Sequence, residues 1–366
     1  MRSERHRDPI TQKDLARMAG VSTATVSKVL SDSPSGIEIS EQTKDKIRQI
    51  AREMGYTPNA SARALRRRSY ETVGLYFPRS YGPWVSSVYS ELTRHLSYEL
   101  EKAGQGLLIM MAPPVETEGK VILPRFLEQR EVDGVLLAHH VSEDLLSVLA
   151  SLRIPYVMLN CAAGFKYLCV DPDDFGVQIR AMEYLYGLGH RRICFVGRSL
   201  YHPSYRIRRE AYEIFMRQHG LQPYVVLSKK EIQSGFSEKF AELAVEEICS
   251  QPELPTAISF YNDISAVALY HALAERGFQI PRDISLVGCD DIPESALLRP
   301  PLTTFRFPAQ RMATEAVSML LNQIRDPKAR FPSIRCEHEQ IERGTCGPPR
   351  EPLFGVPNLF NGIPNG

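Results

Sequence analysis

The chain has a single tryptophan, Trp84, and its seven cysteines include no Cys-x-x-Cys pair. An odd, scattered cysteine set excludes a disulfide framework and offers no zinc-binding spacing, so neither a metal site nor a cofactor is expected. A reducing compartment, the cytoplasm, is the matching expectation. No apolar run approaches the roughly 18 residues that a membrane helix requires. No apolar h-region follows the polar N-terminal stretch Met1–Ile10, which argues against a secretory signal. There is no Gly-rich phosphate loop and no nucleophile–base pair, and His139-His140 has no helix-spaced carboxylate partner; these absences argue against an enzyme. With 43% hydrophobic and 24% charged residues over a length of 366, the chain is globular and long enough for two or three domains.

Net charge is also almost absent, at +1, but residues 1–68 carry +6 and residues 69–366 carry −5. A small basic head on an acidic body implies a polyanion-binding module joined to something else.

The head reads as short helices. Thr11-Gln12-Lys13-Asp14 forms a capping box, with Ile10 and Leu15 as a hydrophobic staple. Leu15, Ala16, Met18 and Ala19 make one apolar face, and Gly20 supplies a turn. Ser22 caps a second helix with Val26, Val29 and Leu30 inward. After a polar loop over 31–39, Ser40 caps a third, with Ile47, Ile50, Ala51 and Met54 inward, ended by Gly55 and Pro58. Asn59 caps a further segment, Ala60–Arg66, too short to be a stable helix alone. From Glu71 onward, short apolar runs (73–77, 107–111, 134–137, 156–159, 193–196, 257–261, 286–287) alternate with helical patterns such as 86–102, 174–188, 205–219 and 264–276. That alternation predicts parallel α/β structure, long enough for two similar lobes. The expected division is a basic helical head at 9–58, a linker at 59–70, an α/β body at 71–342, and a Gly/Pro-rich disordered tail at 343–366.

The run Leu15–Leu30, followed by Gly55-Tyr56-Thr57-Pro58-Asn59, resembles the helix-turn-helix and hinge of LacI/GalR-family transcriptional regulators. The resemblance extends through Leu188–Ile193, Tyr261-Asn262-Asp263, Ile284–Asp291 and Pro301–Thr304, and covers about residues 9–345. It implies an all-α helix-turn-helix head with a hinge helix, followed by an α/β two-lobed body like the type I periplasmic binding proteins.

In the head, the resemblance makes Thr23, Ala24 and Lys28 the base-reading positions on the outward face of a recognition helix. Lysine stands where the family more often has arginine, which puts a bidentate guanine contact in question. Ser22, Thr25 and Ser27 would position phosphates. Asn59, Ala60, Arg63, Leu65 and Arg66 would belong to a hinge helix that pairs in a dimer, with Leu65 wedged into the minor groove and Arg63 and Arg66 on phosphate. A charged flexible linker is the bland alternative.

In the body, the resemblance makes Trp84 an aromatic ligand contact, with a core or interface tryptophan as the alternative; Val85 beside it replaces a second aromatic. Arg208 aligns with a cleft arginine, or else lies on a solvated helix face. Asn160, Asn262 and Asp290 match ligand contacts at strand ends, while Asn262 and Asp290 can instead cap the following helices. Phe307-Pro308 and Ala313 depart from the family's Gln-Pro and glycine. Such a polar set suits a hydroxyl-rich neutral ligand, because each hydroxyl both donates and accepts. A sugar or sugar derivative is the first expectation and a nucleobase the second. The whole then reads as a nucleoid-associated, homodimeric repressor on a pseudo-palindromic operator of double-stranded DNA, with no membrane partner. Control by a protein partner, or a plain solute-binding role, are the competing readings.

Overall fold

The computed structural model describes residues 10–30, 39–56, 69–78, 87–112, 116–117, 120–121, 123–139, 141–162, 167–197, 203–227 and 238–350. Asn59, Ala60, Arg63, Leu65, Arg66, Trp84 and Val85, the loop 31–38 and the end of the tail lie outside them. The chain divides into two compact units, Met1–Tyr70 and Glu71–Gly366.

The first unit is a three-helix cluster: α1 (Gln12–Ala19), α2 (Thr23–Leu30) and α3 (Glu41–Glu53). The capping box is present, with Thr11 Oγ1 accepting from Asp14 N and the Asp14 carboxylate accepting from Thr11 N. Gly20, at φ 72°, ends α1 in the left-handed conformation that glycine adopts without steric cost. Leu15, Ala16, Ala19, Val26, Val29, Ile47 and Ala51 form the core, with Ile10, Ile50, Leu30 and Tyr56 against it. Met18 and Met54 are exposed, at 46% and 39%. Three short helices bury only a narrow stripe each, so the faces inferred from periodicity were one residue too wide.

The second unit holds two lobes. In the N-lobe, β1 (Thr72–Pro78), β2 (Gly106–Ala112), β3 (Gly134–Ala138), β4 (Tyr156–Leu159) and β5 (Cys169–Pro172) are joined through α4 (Ser87–Lys102) and α5 (Glu143–Ser151). In the C-lobe, α6 (Asp174–Gly187), β6 (Ile193–Gly197), α7 (Pro203–Gln218), β7 (Tyr224–Leu227), α8 (Glu238–Cys249), β8 (Ala257–Phe260), α9 (Asp263–Glu275), β9 (Ser285–Val287) and β10 (Thr304–Arg306) follow. The chain then returns to the N-lobe for α10 (Ala309–Arg325) and β11 (Ile334–Cys336), and ends in the C-lobe with β12 (Glu339–Ile341). The parallel sheets run β11-β5-β4-β3-β1-β2 and β9-β8-β6-β7, and β10 pairs antiparallel with β12.

Strand alternation explains the layers. Val73, Leu75, Phe77, Leu136 and Ala138 face α4 and α10, whereas Tyr76, Val135 and Leu137 face α5. In the C-lobe, Cys194 and Val196 face α8 and α9, while Ile193 and Phe195 face α6 and α7. Each fully buried leucine of this kind contributes ~1.5–3 kcal/mol. Phe307 and Ala313, the departures noted above, lie buried in the N-lobe core.

Three crossovers join the lobes: Asp173 between β5 and α6, Phe307-Pro308 between β10 and α10, and Glu337-His338 between β11 and β12. Asp173 N donates to Cys336 O at 2.9 Å, tying the first crossover to the third. The boundary expected at Arg343 needs correction, because residues 343–350 are packed on the C-lobe. Thr345 is fully buried and its hydroxyl donates to Leu286 O at 2.7 Å. Arg343 donates to Asp291 and Leu302 O, and Gly347 O receives the Nε2 of His190. These polar side chains and carbonyls anchor a segment whose Gly/Pro composition alone suggested disorder.

Candidate functional site

On α2, Val26 and Val29 point inward, which leaves Thr23 and Ala24 exposed and Thr25, Ser27 and Lys28 half-buried. Ser22 Oγ accepts from Thr25 N at 3.1 Å and lies 2.8 Å from Thr25 Oγ1, so it caps the helix as its sequence position suggests. The start of α2 therefore carries exposed small and hydroxyl-bearing residues beside the positive end of the helix dipole. That is a geometry suited to a polyanion.

In the body, the strand orders β2-β1-β3-β4 and β7-β6-β8-β9 each reverse direction of progress once, and ligands of such sheets sit beyond the carboxyl ends of the strands at that reversal. Asn160 follows β4, Tyr261 and Asn262 follow β8, and Asp290 follows β9, so all reach that edge. A groove of about 1140 Å³ runs between the lobes; its lining includes Ser87, Glu91, Asp290, Ile292, Arg306 and Phe307.

Arg208, on the buried face of α7, is only 4% exposed. Its Nε donates to Asp174 Oδ1 at 2.8 Å, its second terminal nitrogen stands 2.7 Å from the same oxygen, and its first donates to Tyr261 O at 2.5 Å. Asp290 Oδ1 is 3.9 Å from that nitrogen. Burial by itself would lower the Arg208 pKa, but the negative groups around it raise it on balance and the guanidinium stays charged. Burial pushes the Asp290 carboxyl well above its ordinary range, against the pull of Arg208. Arg208 is thus no solvated face but one half of a buried ion pair. Asp174, its main partner, reads in the sequence only as an ordinary acid in the first turn of α6.

Asn262 is held at the start of α9. Its Oδ1 accepts from Ser265 N at 3.1 Å and Ser265 Oγ at 2.7 Å, which makes it the cap of α9. Asp290 caps nothing of that kind; it sits at φ 133°, with its backbone N–H donating to Phe305 O. The loop carrying it is held by Asp263, a fully buried carboxylate that accepts from Thr304 Oγ1 (2.6 Å), Ser295 Oγ (2.7 Å) and Ile292 N (3.2 Å). Gly288 is required there, because a Cβ would stand 2.0 Å from Asp263 Oδ1.

The N-lobe edge is neutral around Asn160, with the buried Asp171 carboxyl behind it. Asn160, in the left-handed region at φ 51°, donates its amide to Tyr89 Oη at 3.0 Å, and the Tyr89 ring lies 6.2 Å from that of His139. On the third crossover His338 is 2% exposed, and neither ring nitrogen has a hydrogen-bond partner among the described residues. Burial, reinforced by Arg208 and Arg180, holds its pKa well below the ordinary histidine value, so the ring is neutral. Nothing in the local sequence around His338 distinguishes it; only its place between the lobes does.

Known proteins place this geometry. The profile of the bacterial regulatory proteins, lacI family, matches residues 11–59, and that of the periplasmic binding protein-like domain matches residues 182–346. The chain is 32% identical over 349 residues to the ribose operon repressor of Escherichia coli strain K12, covering 92% of this chain and 99% of that one. It is 28% identical to the HTH-type transcriptional repressor PurR of Pasteurella multocida strain Pm70, over 91% of this chain and 97% of the relative. The fold superposes on the lac repressor dimer bound to operator and the anti-inducer ONPF with a TM-score of 0.80, at 23% identity over 93% of this chain and 100% of that one. A LacI family regulator from Enterococcus faecium with bound ribose gives 0.63, at 23% identity over 76% of this chain and 100% of that one. Two matched domains in the expected order and a full-length relative above 30% identity agree: this chain belongs to the lacI family of bacterial regulatory proteins.

Proposed function

We propose that this protein is a homodimeric transcriptional repressor whose affinity for a pseudo-palindromic operator is set by a sugar of the ribose class in the inter-lobe cleft. On the DNA side, Thr23, Ala24 and Lys28 read base edges, and Ser22, Thr25 and Ser27 place the backbone. Asn59, Ala60, Arg63 and Arg66 form the hinge around the Leu65 wedge. On the ligand side, Asn160, Arg208 and Asp290 supply polar contacts and Trp84 an apolar face. The observation that carries the reading is Asp290, fixed at the end of β9 beside a charged Arg208 and on the wall of the groove. A carboxyl group next to a guanidinium offers acceptors and donors side by side, the pair that a hydroxyl can use at once. The full-length similarity to a ribose operon repressor supports the sugar class. The relatives are repressors, and no catalytic role is assigned to any residue.

Ligand-dependent tilting of the lobes would couple to operator binding by ~1–3 kcal/mol. Thermal unfolding of the full chain against pentoses, hexoses, sugar phosphates and nucleobases tests the reading. A pentose at 100 times its dissociation constant stabilises the native state by ~2.7 kcal/mol. Asp290→Asn loses that shift, and the same pentose changes operator affinity measured by fluorescence anisotropy. A shift with nucleobases alone replaces the sugar reading, and no shift with any of them favours a protein partner.

A further inference from the structure

We propose that Cys161, Cys169 and Asp171 form a binding site for one thiophilic divalent cation of the zinc class, at the N-lobe end of the first crossover. The three residues are not a sequence motif, and the fold brings them together. Parallel register sets Leu159 beside Val170, so β4 and β5 end side by side. Asn160 and Ala162, both at φ 51°, then turn the chain back. Cys161 is left over Asp171 with its N–H donating to Oδ1 at 2.8 Å. Cys161 Sγ stands 3.6 Å from the other carboxylate oxygen, Oδ2. The two sulfurs and a carboxylate oxygen all lie within 4.8 Å of one another.

These distances fit a tetrahedral ion. Zn–S bonds of about 2.3 Å and Zn–O bonds of about 2.0 Å give ligand–ligand edges of roughly 3.5–3.8 Å. The existing 3.6 Å edge is already of that length, and the remaining ones close with small side-chain rotations. The donors are 1%, 0% and 7% exposed, so they are held in place and not displayed on a solvated acidic surface. Their supports are in place too. Asp171 Oδ1 is occupied by the Cys161 amide, which directs Oδ2 to the ion. Cys169 N donates to Ser333 Oγ, which in turn donates to Tyr167 O. Outer contacts of this kind orient ligands in metal sites. A water would complete the tetrahedron as fourth ligand.

Two thiol protons leave to solvent as the sulfur–metal bonds form, and two thiolates with one carboxylate leave the occupied site at net −1. The ion would clamp the turn that carries Asn160 to the strand that becomes the first crossover. It does not depend on which molecule fills the cleft.

The test is titration of the reduced, chelator-treated full chain with Co²⁺, followed by absorption. One equivalent is expected to give thiolate-to-cobalt charge-transfer bands of two-sulfur intensity and the strong visible bands of a tetrahedral ion, both erased by Zn²⁺. Cys161→Ser and Cys169→Ser each lose them, Asp171→Asn weakens them, and Cys249→Ser, outside the cluster, keeps them. Should one cysteine variant fail to fold, the other, together with Asp171→Asn, decides, because the spectrum counts the sulfurs on the ion and only loss in a folded variant says which of the seven thiols they are. Absence of charge-transfer bands in a chain with all thiols verified as reduced overturns the site, as do bands that persist in the folded Cys161→Ser/Cys169→Ser protein.

Discussion

The two lobes share a strand order but arm their strand ends in opposite ways. The C-lobe edge carries Arg208, Asp174 and Asp290 in one buried charged cluster, with the Asp263 carboxylate fixing the neighbouring loop. The N-lobe edge presents Asn160 on a tyrosine hydroxyl and places thiols behind it. Buried ion pairs are seldom the cheapest way to stabilise a core, since apolar replacements of equal volume often do as well. The charged edge therefore makes most sense as a rigid, directional platform, and the neutral edge as the more adaptable wall. On the proposed function, the two layers would divide the work of recognition, one side fixing orientation and the other accommodating shape.

The largest break in this contrast comes from Arg208→Met, which leaves Asp174 buried and unpaired. A loss of ~3–5 kcal/mol in urea unfolding is expected, with part of it regained in Arg208→Met/Asp174→Asn. A loss below ~1 kcal/mol would mean that the platform is not held by charge. Next is the pH dependence of the third crossover. The folded pKa of His338 is depressed below 6.5, so the unfolded chain binds a proton that the native chain does not. The stability this residue confers is complete above about pH 6.5 and is lost as pH falls from there toward the folded value, at about 1.4 kcal/mol per pH unit. Other groups titrate nearby, among them His190, also lowered by burial. The measurement is therefore the difference between wild type and His338→Phe, in which that one-proton slope disappears. The smallest effect sharpens the neutral edge. Asn160→Ala should cost ~1–2 kcal/mol through its left-handed backbone and lost hydrogen bond, and Asn160→Gly should recover the backbone share. Equal costs for both would assign the whole effect to the bond with Tyr89.

Much of the architecture was legible in the sequence because it is written in local chemistry. The caps at Thr11, Ser22 and Ser40, and the apolar runs of β1, β3, β4, β6 and β8, need only their own neighbours. β5 was not anticipated, since Cys169–Pro172 is short and ends in an acid and a proline. β7, β10, β11 and β12 are likewise strands of three or four residues whose pairing partners are distant in sequence. At the site, Arg208, Asn160 and Asp290 could be located through motif resemblance, yet their bonding could not. Asp174 and Asp263 acquire their roles from residues 29 to 41 positions away in the chain, and His338 from its burial between the lobes. Asn262 shows the converse. A polar residue at a strand end is also a residue at a helix start, and here the helix took it.

The third crossover has a consequence for how the chain is made. α10 and β11 complete the N-lobe, and β12 with residues 343–350 completes the C-lobe. Neither lobe can close its core until the last stretch of the body has left the ribosome, although domains made of one continuous segment can fold as soon as they emerge. The three-helix head, built from contacts close in sequence, has no such wait. A newly made chain thus passes through an interval in which its DNA-facing unit is finished while the unit that regulates it is not.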